Sequence, residues 1–173
     1  MLNESAMKIN GELVSLDCEP RTSLADFLRD EGKNSVHLGC EHGVCGSCNV
    51  LVDGECVRAC LVLAQSCDEA EVVTLEGLND ELAQQLRAAF NRHHALQCGF
   101  CTPGVFVAAY ELLARGLAID EAQVRQHMAG NICRCTGYQG IVEAILAVAQ
   151  SYQPGAEPAL ATDEPTGKAD QAL

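Results

Sequence analysis

Two sets of four cysteines constrain this chain more than any other feature of its sequence. Cys40, Cys45 and Cys48 are spaced C-x4-C-x2-C, and Cys60 follows after eleven residues. Cys98 and Cys101 form a C-x2-C pair, and thirty-one residues later Cys133 and Cys135 form a C-x-C pair. The 173 residues hold eleven cysteines in all, an odd number. The start, MLNESAMKIN, has no apolar segment and no twin arginine, so no export signal is expected and the expected location is the cytoplasm. Thiols stay reduced there, so a disulfide framework is not expected, and clustered cysteines point to metal binding or redox work.

The first set has the spacing of a plant-type [2Fe-2S] site. Each of two tetrahedral irons needs two thiolates from the protein. A loop must therefore wrap around a rhomb of iron and sulfide while a fourth thiolate arrives from elsewhere. The glycines of GCEHGVCGSC permit positive φ and let backbone N–H groups approach the sulfurs. Such donors stabilise the extra negative charge of a reduced cluster. The competing reading is structural zinc, but zinc ligands usually pair as two short knuckles, and here one is stretched and interleaved with the other. His42, inside the loop, reads as a solvent-facing residue. Cys56 competes with Cys60 for the fourth position. It lies beside the Asp53-Gly54 turn, whereas Cys60, further along the returning strand, can come back to the loop and is preferred.

The second set is less decisive on spacing alone. Cys98 and Cys101 precede a helix as C-G-F-C, which suits a thioredoxin-like dithiol. That reading lacks a βαβ context and leaves Cys133 and Cys135 idle. Zinc remains open, although C-x-C and the long gap fall outside its common spacings. A second iron–sulfur cluster is the third reading. Cys18, Cys56 and Cys67 read as small buried hydrophobes, and His93-His94 as a helix-end pair.

Around these sets the periodicity changes once. MKINGELVSLD predicts a hairpin turning at Asn10-Gly11, and NVLVDGECVRACLVL a second one at Asp53-Gly54. Between them TSLADFLRDEG predicts a helix capped by Thr22 or Ser23, and AEVVTLEG adds a strand. Residues 1–77 thus read as a compact α+β domain. Residues 78–152 read as a four-helix bundle. Its helices are expected to be capped by Asn79, by Thr102 ahead of Pro103, and by Asp120 with Gln123 in a capping box. The last, GIVEAILAVAQ, is apolar nearly all round and is expected to be buried. Residues 153–173 hold three of the five prolines and four acids against one lysine, and are expected to be a disordered acidic tail. A net charge of -13 repels nucleic acid and anionic membranes, and no apolar run approaches a membrane span.

GCEHGVCGSC, QCGFCTPG and GNICRCTGY, in that order, resemble the signatures of the small iron–sulfur subunits of the molybdenum hydroxylase, or xanthine oxidase, family. The match covers about residues 7–150. The separate-chain size is similar to the small subunits of bacterial carbon monoxide dehydrogenase and N-heterocycle dehydrogenases. The resemblance implies a β-grasp ferredoxin domain followed by an all-α four-helix bundle, each with one [2Fe-2S] cluster, and it places the fourth ligand of the first at Cys60. It further implies a large partner subunit with a molybdenum-pterin cofactor of the cytosine dinucleotide type, a medium FAD-binding subunit, and an (αβγ)2 assembly. In that arrangement Gln97 hydrogen-bonds the pterin, Cys135 lies beside it, and electrons run from molybdenum through the Cys98 set and then the Cys40 set to FAD. The competing reading of another class is a free-standing ferredoxin-like carrier, which the acidic charge suits but which has no need of Gln97 or a second cluster. The tail is what the family pattern does not require. Cutting after Ser151 is therefore expected to leave cluster content and assembly unchanged, as read by co-purification with the partner subunits.

Overall fold

The computed structural model describes residues 5–116 and 118–152; the expected acidic tail lies outside them. Strands β1 (Ala6–Ile9) and β2 (Glu12–Ser15) are joined at Asn10-Gly11, both with positive φ, as the two-residue hairpin turn demands. Helix α1 (Leu24–Asp30) starts at Ser23, whose hydroxyl accepts from the Asp26 N–H at 3.0 Å, which decides between the two candidate caps. Strands β3 (Asn49–Val52) and β4 (Glu55–Arg58) turn at Asp53-Gly54, and β5 (Glu71–Val73) completes a five-stranded sheet in the order β2-β1-β5-β3-β4. β1 and β5 run parallel, and the other neighbours antiparallel. This is the expected β-grasp ferredoxin arrangement, with α1 laid across the sheet.

Strand alternation divides the sheet between two cores. Met7, Ile9, Val50 and Val72 pack with Leu24, Phe27 and Leu28 of α1. Leu51 and Val73, one residue out of phase, face the second core. That core belongs to the four helices α2 (Glu81–Arg92), α3 (Thr102–Ala114), α4 (Glu121–Met128) and α5 (Gln139–Ser151), the expected bundle. The capping box of Asp120 and Gln123 is present. Two other caps differ from expectation. Asp80, not Asn79, accepts from the N–H of Ala83 at 2.9 Å, while the Asn79 amide turns back to the carbonyl of Glu76. Thr102 is already helical, so the N-cap position falls to Cys101. The centre of the bundle is also displaced. α5 buries one face, through Ile141, Val142, Ala144, Ile145 and Val148, and exposes Glu143 and Gln150. α3 is the helix buried nearly all round, because it alone lies between the other helices and β3.

α3 can take that place because Gly104 has no side chain. A Cβ on Gly104 would lie 2.0 Å from the carbonyl oxygen of Gly46, in the first cysteine loop. Within a helix, Gly to Ala is ordinarily worth about 1 kcal/mol in favour of Ala. Overpacking against fixed backbone costs about 1–3 kcal/mol, sometimes more, and outweighs that gain. Gly104→Ala is therefore expected to lower the temperature at which the chain's visible absorption bleaches on heating. A raised midpoint would show that helix propensity dominates and that the two segments are not held together.

Candidate metal centres

The first cysteine loop, residues 38–48, has no regular structure and is shaped by its glycines and its backbone contacts. Gly43 and Gly46 both have positive φ. The Cys45 N–H points at the Cys40 sulfur at 3.4 Å. Backbone N–H groups of His42 and Cys45 pull the pKa of the Cys40 thiol down to about 6, which favours the thiolate a metal requires. Cys40 and Cys45 are neighbours through that N–H to sulfur bond, and Cys60 is brought beside Cys48, where the Ala59 N–H donates to the Cys48 carbonyl at 3.3 Å. Burial, with Cys60 alongside, pushes Cys48 up to about 11. His42 is exposed, and its Nδ1 contacts the Cys40 carbonyl.

Cys60 is not on the returning strand. β4 ends at Arg58, and Ala59–Leu61 form a single 3-10 turn that brings Cys60 back beside Cys48. Cys56 is on β4 opposite Leu51 and packs against the helical core, the other face of the sheet from Cys48. Burial raises it to about 11. The period of two separates these neighbours: Cys56 falls on the bundle face and Val57 on the α1 face.

In the second set the thiols also meet in pairs, Cys101 with Cys133 and Cys98 with Cys135. Cys101 and Cys133 are buried, while Cys98, Cys135 and Gln97 are exposed on the same edge. Burial, with the Cys133 sulfur adjacent, raises Cys101 to about 12. Burial acts to raise Cys133 as well, but hydrogen bonds from the Thr136 hydroxyl, at 3.1 Å, and its N–H outweigh it and lower that thiol. The Tyr138 hydroxyl accepts from the Cys133 N–H at 2.8 Å and donates to the Asn131 carbonyl at 3.1 Å. Tyr138 holds a left-handed conformation, φ 68°, to make that span. Nothing in the periodicity of the sequence marks Thr136 or Tyr138; their place in GNICRCTGY beside the C-x-C pair is the hint.

Both sets fit a binuclear cluster better than a single ion. Four thiols arranged as two pairs match two irons bridged by sulfides, each iron taking one pair. The two sets are also joined. Asn49, next to Cys48, donates to the Gly104 carbonyl at 3.0 Å and to Asn131 Oδ1 at 2.8 Å, and it accepts from Arg58 Nη1. Arg58 Nη2 reaches the Gly130 carbonyl at 2.7 Å. The Ile132 N–H donates to the Cys45 carbonyl at 2.9 Å. Gly104, Gly130, Asn131 and Ile132 stand inside the quoted motifs, but no spacing marks them as the partners of Asn49, Arg58 and Cys45.

Comparison with known proteins agrees with this picture. Residues 7–83 match the 2Fe-2S iron-sulfur cluster binding domain, and residues 74–146 match a [2Fe-2S] binding domain. The chain is 47% identical over 144 residues to the nicotine 6-hydroxylase small subunit of Paenarthrobacter nicotinovorans, covering 83% of this chain and 87% of that one. It is 44% identical over 153 residues to caffeine dehydrogenase subunit gamma of Pseudomonas sp. strain CBB1, covering 86% and 92%. It superposes on a chain of quinoline 2-oxidoreductase from Pseudomonas putida 86 with a TM-score of 0.80 and 45% identity, covering 86% of this chain and 94% of that one. Two [2Fe-2S] domains on one chain define an electron-transfer protein. The chain belongs to the small iron–sulfur subunits of the molybdenum hydroxylase family, relays electrons within an oxidoreductase, and works alongside partner subunits.

The positions of Cys56 and Cys60 generate a test. Cys56→Ala is expected to keep about four irons per chain, and Cys60→Ser to weaken or lose about two, as read by iron and sulfide analysis. The reverse result would exchange their roles.

Proposed function

We propose that this chain is the relay between a molybdenum-pterin centre on a large partner subunit and FAD on a medium one, during hydroxylation of a carbon substrate such as an aldehyde or N-heterocycle. Cys40, Cys45, Cys48 and Cys60 hold one [2Fe-2S] cluster, and Cys98, Cys101, Cys133 and Cys135 hold the other. Residues 1–77 form the first cluster domain and 78–152 the second. The gathering of each set of thiols, with backbone N–H groups aimed at the Cys40 and Cys133 sulfurs and the Ala59 N–H bonded to the Cys48 carbonyl, is the observation that carries this assignment. When bound, each cluster supplies a site that gains and loses one electron at a time.

The protein's own residues do the rest. The N–H groups of His42, Cys45 and Thr136 are aimed at sulfur and favour the negative form. Asn49, Arg58 and Asn131 hold the two loops at a fixed separation. The Ile132 N–H, one residue before Cys133, bonds the carbonyl of Cys45, so the two ligand sets are linked by backbone and a single hydrogen bond. Cys98 and Cys135 are the exposed pair, and Gln97 stands exposed next to them. That edge suits the approach of a cofactor held by another subunit. A glutamine amide both donates and accepts, as a pterin edge requires. The assembly in this reading is (αβγ)2 in the cytoplasm, with no nucleic acid or membrane involved. Among the described residues no helix is long and apolar enough to cross a membrane.

The competing carrier reading differs in what Gln97 does. In the assembled enzyme, Gln97→Ala is expected to leave both clusters in place, since no thiolate is lost. It is expected to slow cluster bleaching by substrate several-fold while exchange with FAD stays normal, in rapid-mixing experiments started from each end. Slowing at the flavin end alone would reverse the order of the relay. No effect at either end would favour a free-standing carrier.

A further inference from the structure

Phe100 lies between Cys98 and Cys101, yet both its ring and its carbonyl contact the other half of the chain. The imidazole of His37 stacks on its ring, with centroids 4.9 Å apart and planes 22° apart. His37 Nδ1 also lies 2.6 Å from the Phe100 carbonyl. A carbonyl only accepts, so Nδ1 carries the proton in this contact. Both the ring and the backbone of Phe100 are thus held by a residue three positions before Cys40. The edge of the ring rests on Gly39. A Cβ there would lie 3.3 Å from Phe100 Cε1 and 3.2 Å from the Cys45 sulfur. Gly39 is therefore a thin floor shared by the aromatic edge and that sulfur. Phe100 is 48% exposed, so it borders solvent on one side while its ring edge lies over Gly39 on the other.

We infer that Phe100 is a cover lent by the second cysteine loop to the first site, screening the Cys45 sulfur from water and so holding down the reduction potential of the cluster bound there. The proposal rests on the ligand assignment above. The reason is electrostatic. A reduced cluster carries one more negative charge, and water beside its sulfurs stabilises that charge. An apolar ring in place of water withholds that stabilisation and disfavours reduction. Phe100 acts in this through the environment of the sulfurs and is a positioning residue, not a ligand.

The test is a redox titration of the purified assembled complex, followed by EPR, for the wild type and Phe100→Ala. Cys45→Ser assigns the signals, because it alters the first site's spectrum alone. The first cluster's potential is expected to rise in Phe100→Ala while the second stays in place. After transfer to D2O, the deuterium modulation on the first cluster's signal is expected to deepen. Phe100→Tyr should restore both properties. His37→Ala frees the ring without removing it and should move the first potential the same way by a smaller step. If Phe100→Ala does not assemble, His37→Ala and Phe100→Leu carry the same comparison. The local alternative makes the opposite demand, since Phe100 is flanked by Cys98 and Cys101. A shift as large or larger at the second cluster, or none at the first, would overturn the proposal. A wild-type complex showing one cluster signal instead of two would strike the ligand assignment itself, and the proposal with it.

Discussion

The buried contact of Asn49, Arg58 and Asn131 is what the rest of the molecule depends on. Asn49 and Asn131 are only 3% and 2% exposed. A buried amide left unpaired costs about 1–3 kcal/mol, so these groups accept few alternative geometries. Asn49 uses both ends of its amide: the nitrogen serves Gly104 and Asn131, and the oxygen serves Arg58. Arg58 then reaches Gly130. Apolar packing between a sheet and a helix tolerates small slides; a directional polar junction does not. The two halves are therefore fixed in register as well as joined.

That register matters because electron relay depends on separation. The junction sits between the ligand sets: Asn49 follows Cys48, Gly104 lies three residues after Cys101, and Asn131 lies two before Cys133. Where the backbones come closest, side chains are absent, as at Gly46 and Gly104. The tight positions Gly46 and Gly104 thus fall where the two loops meet. Each loop in turn is shaped by backbone N–H groups directed at sulfur.

Much of the fold is legible in the sequence because it is local. Asn10-Gly11 and Asp53-Gly54 force hairpin turns through positive φ, and Asp120 with Gln123 satisfies a helix end within four residues. The departures from expectation are choices among near-equivalent local partners. Asn79 and Asp80 are both good caps, and the position went to Asp80, whose second oxygen also accepts from Tyr110. α3, TPGVFVAAYELLA, is more evenly apolar than α5, whose Gln139, Glu143 and Gln150 mark a polar face, and it became the central helix, with β3 and its glycine contact covering the face that would otherwise meet water.

By itself the sequence determined the inventory: eight thiols in two spaced sets, the turns, the helices, and the family that those motifs identify. Spacing carries that much because ligands within one loop are tied by a short chain. Tertiary structure alone decided which thiols meet. It placed Cys60 in a 3-10 turn beside Cys48 and sent Cys56 to the opposite face of the sheet. It also set Phe100 of one loop over Gly39 of the other. Asn49 and Asn131 are 82 positions apart, and His37 and Phe100 are 63 apart. No periodicity links such residues, and only the packing of sheet against bundle brings them within a hydrogen bond or a ring contact of each other.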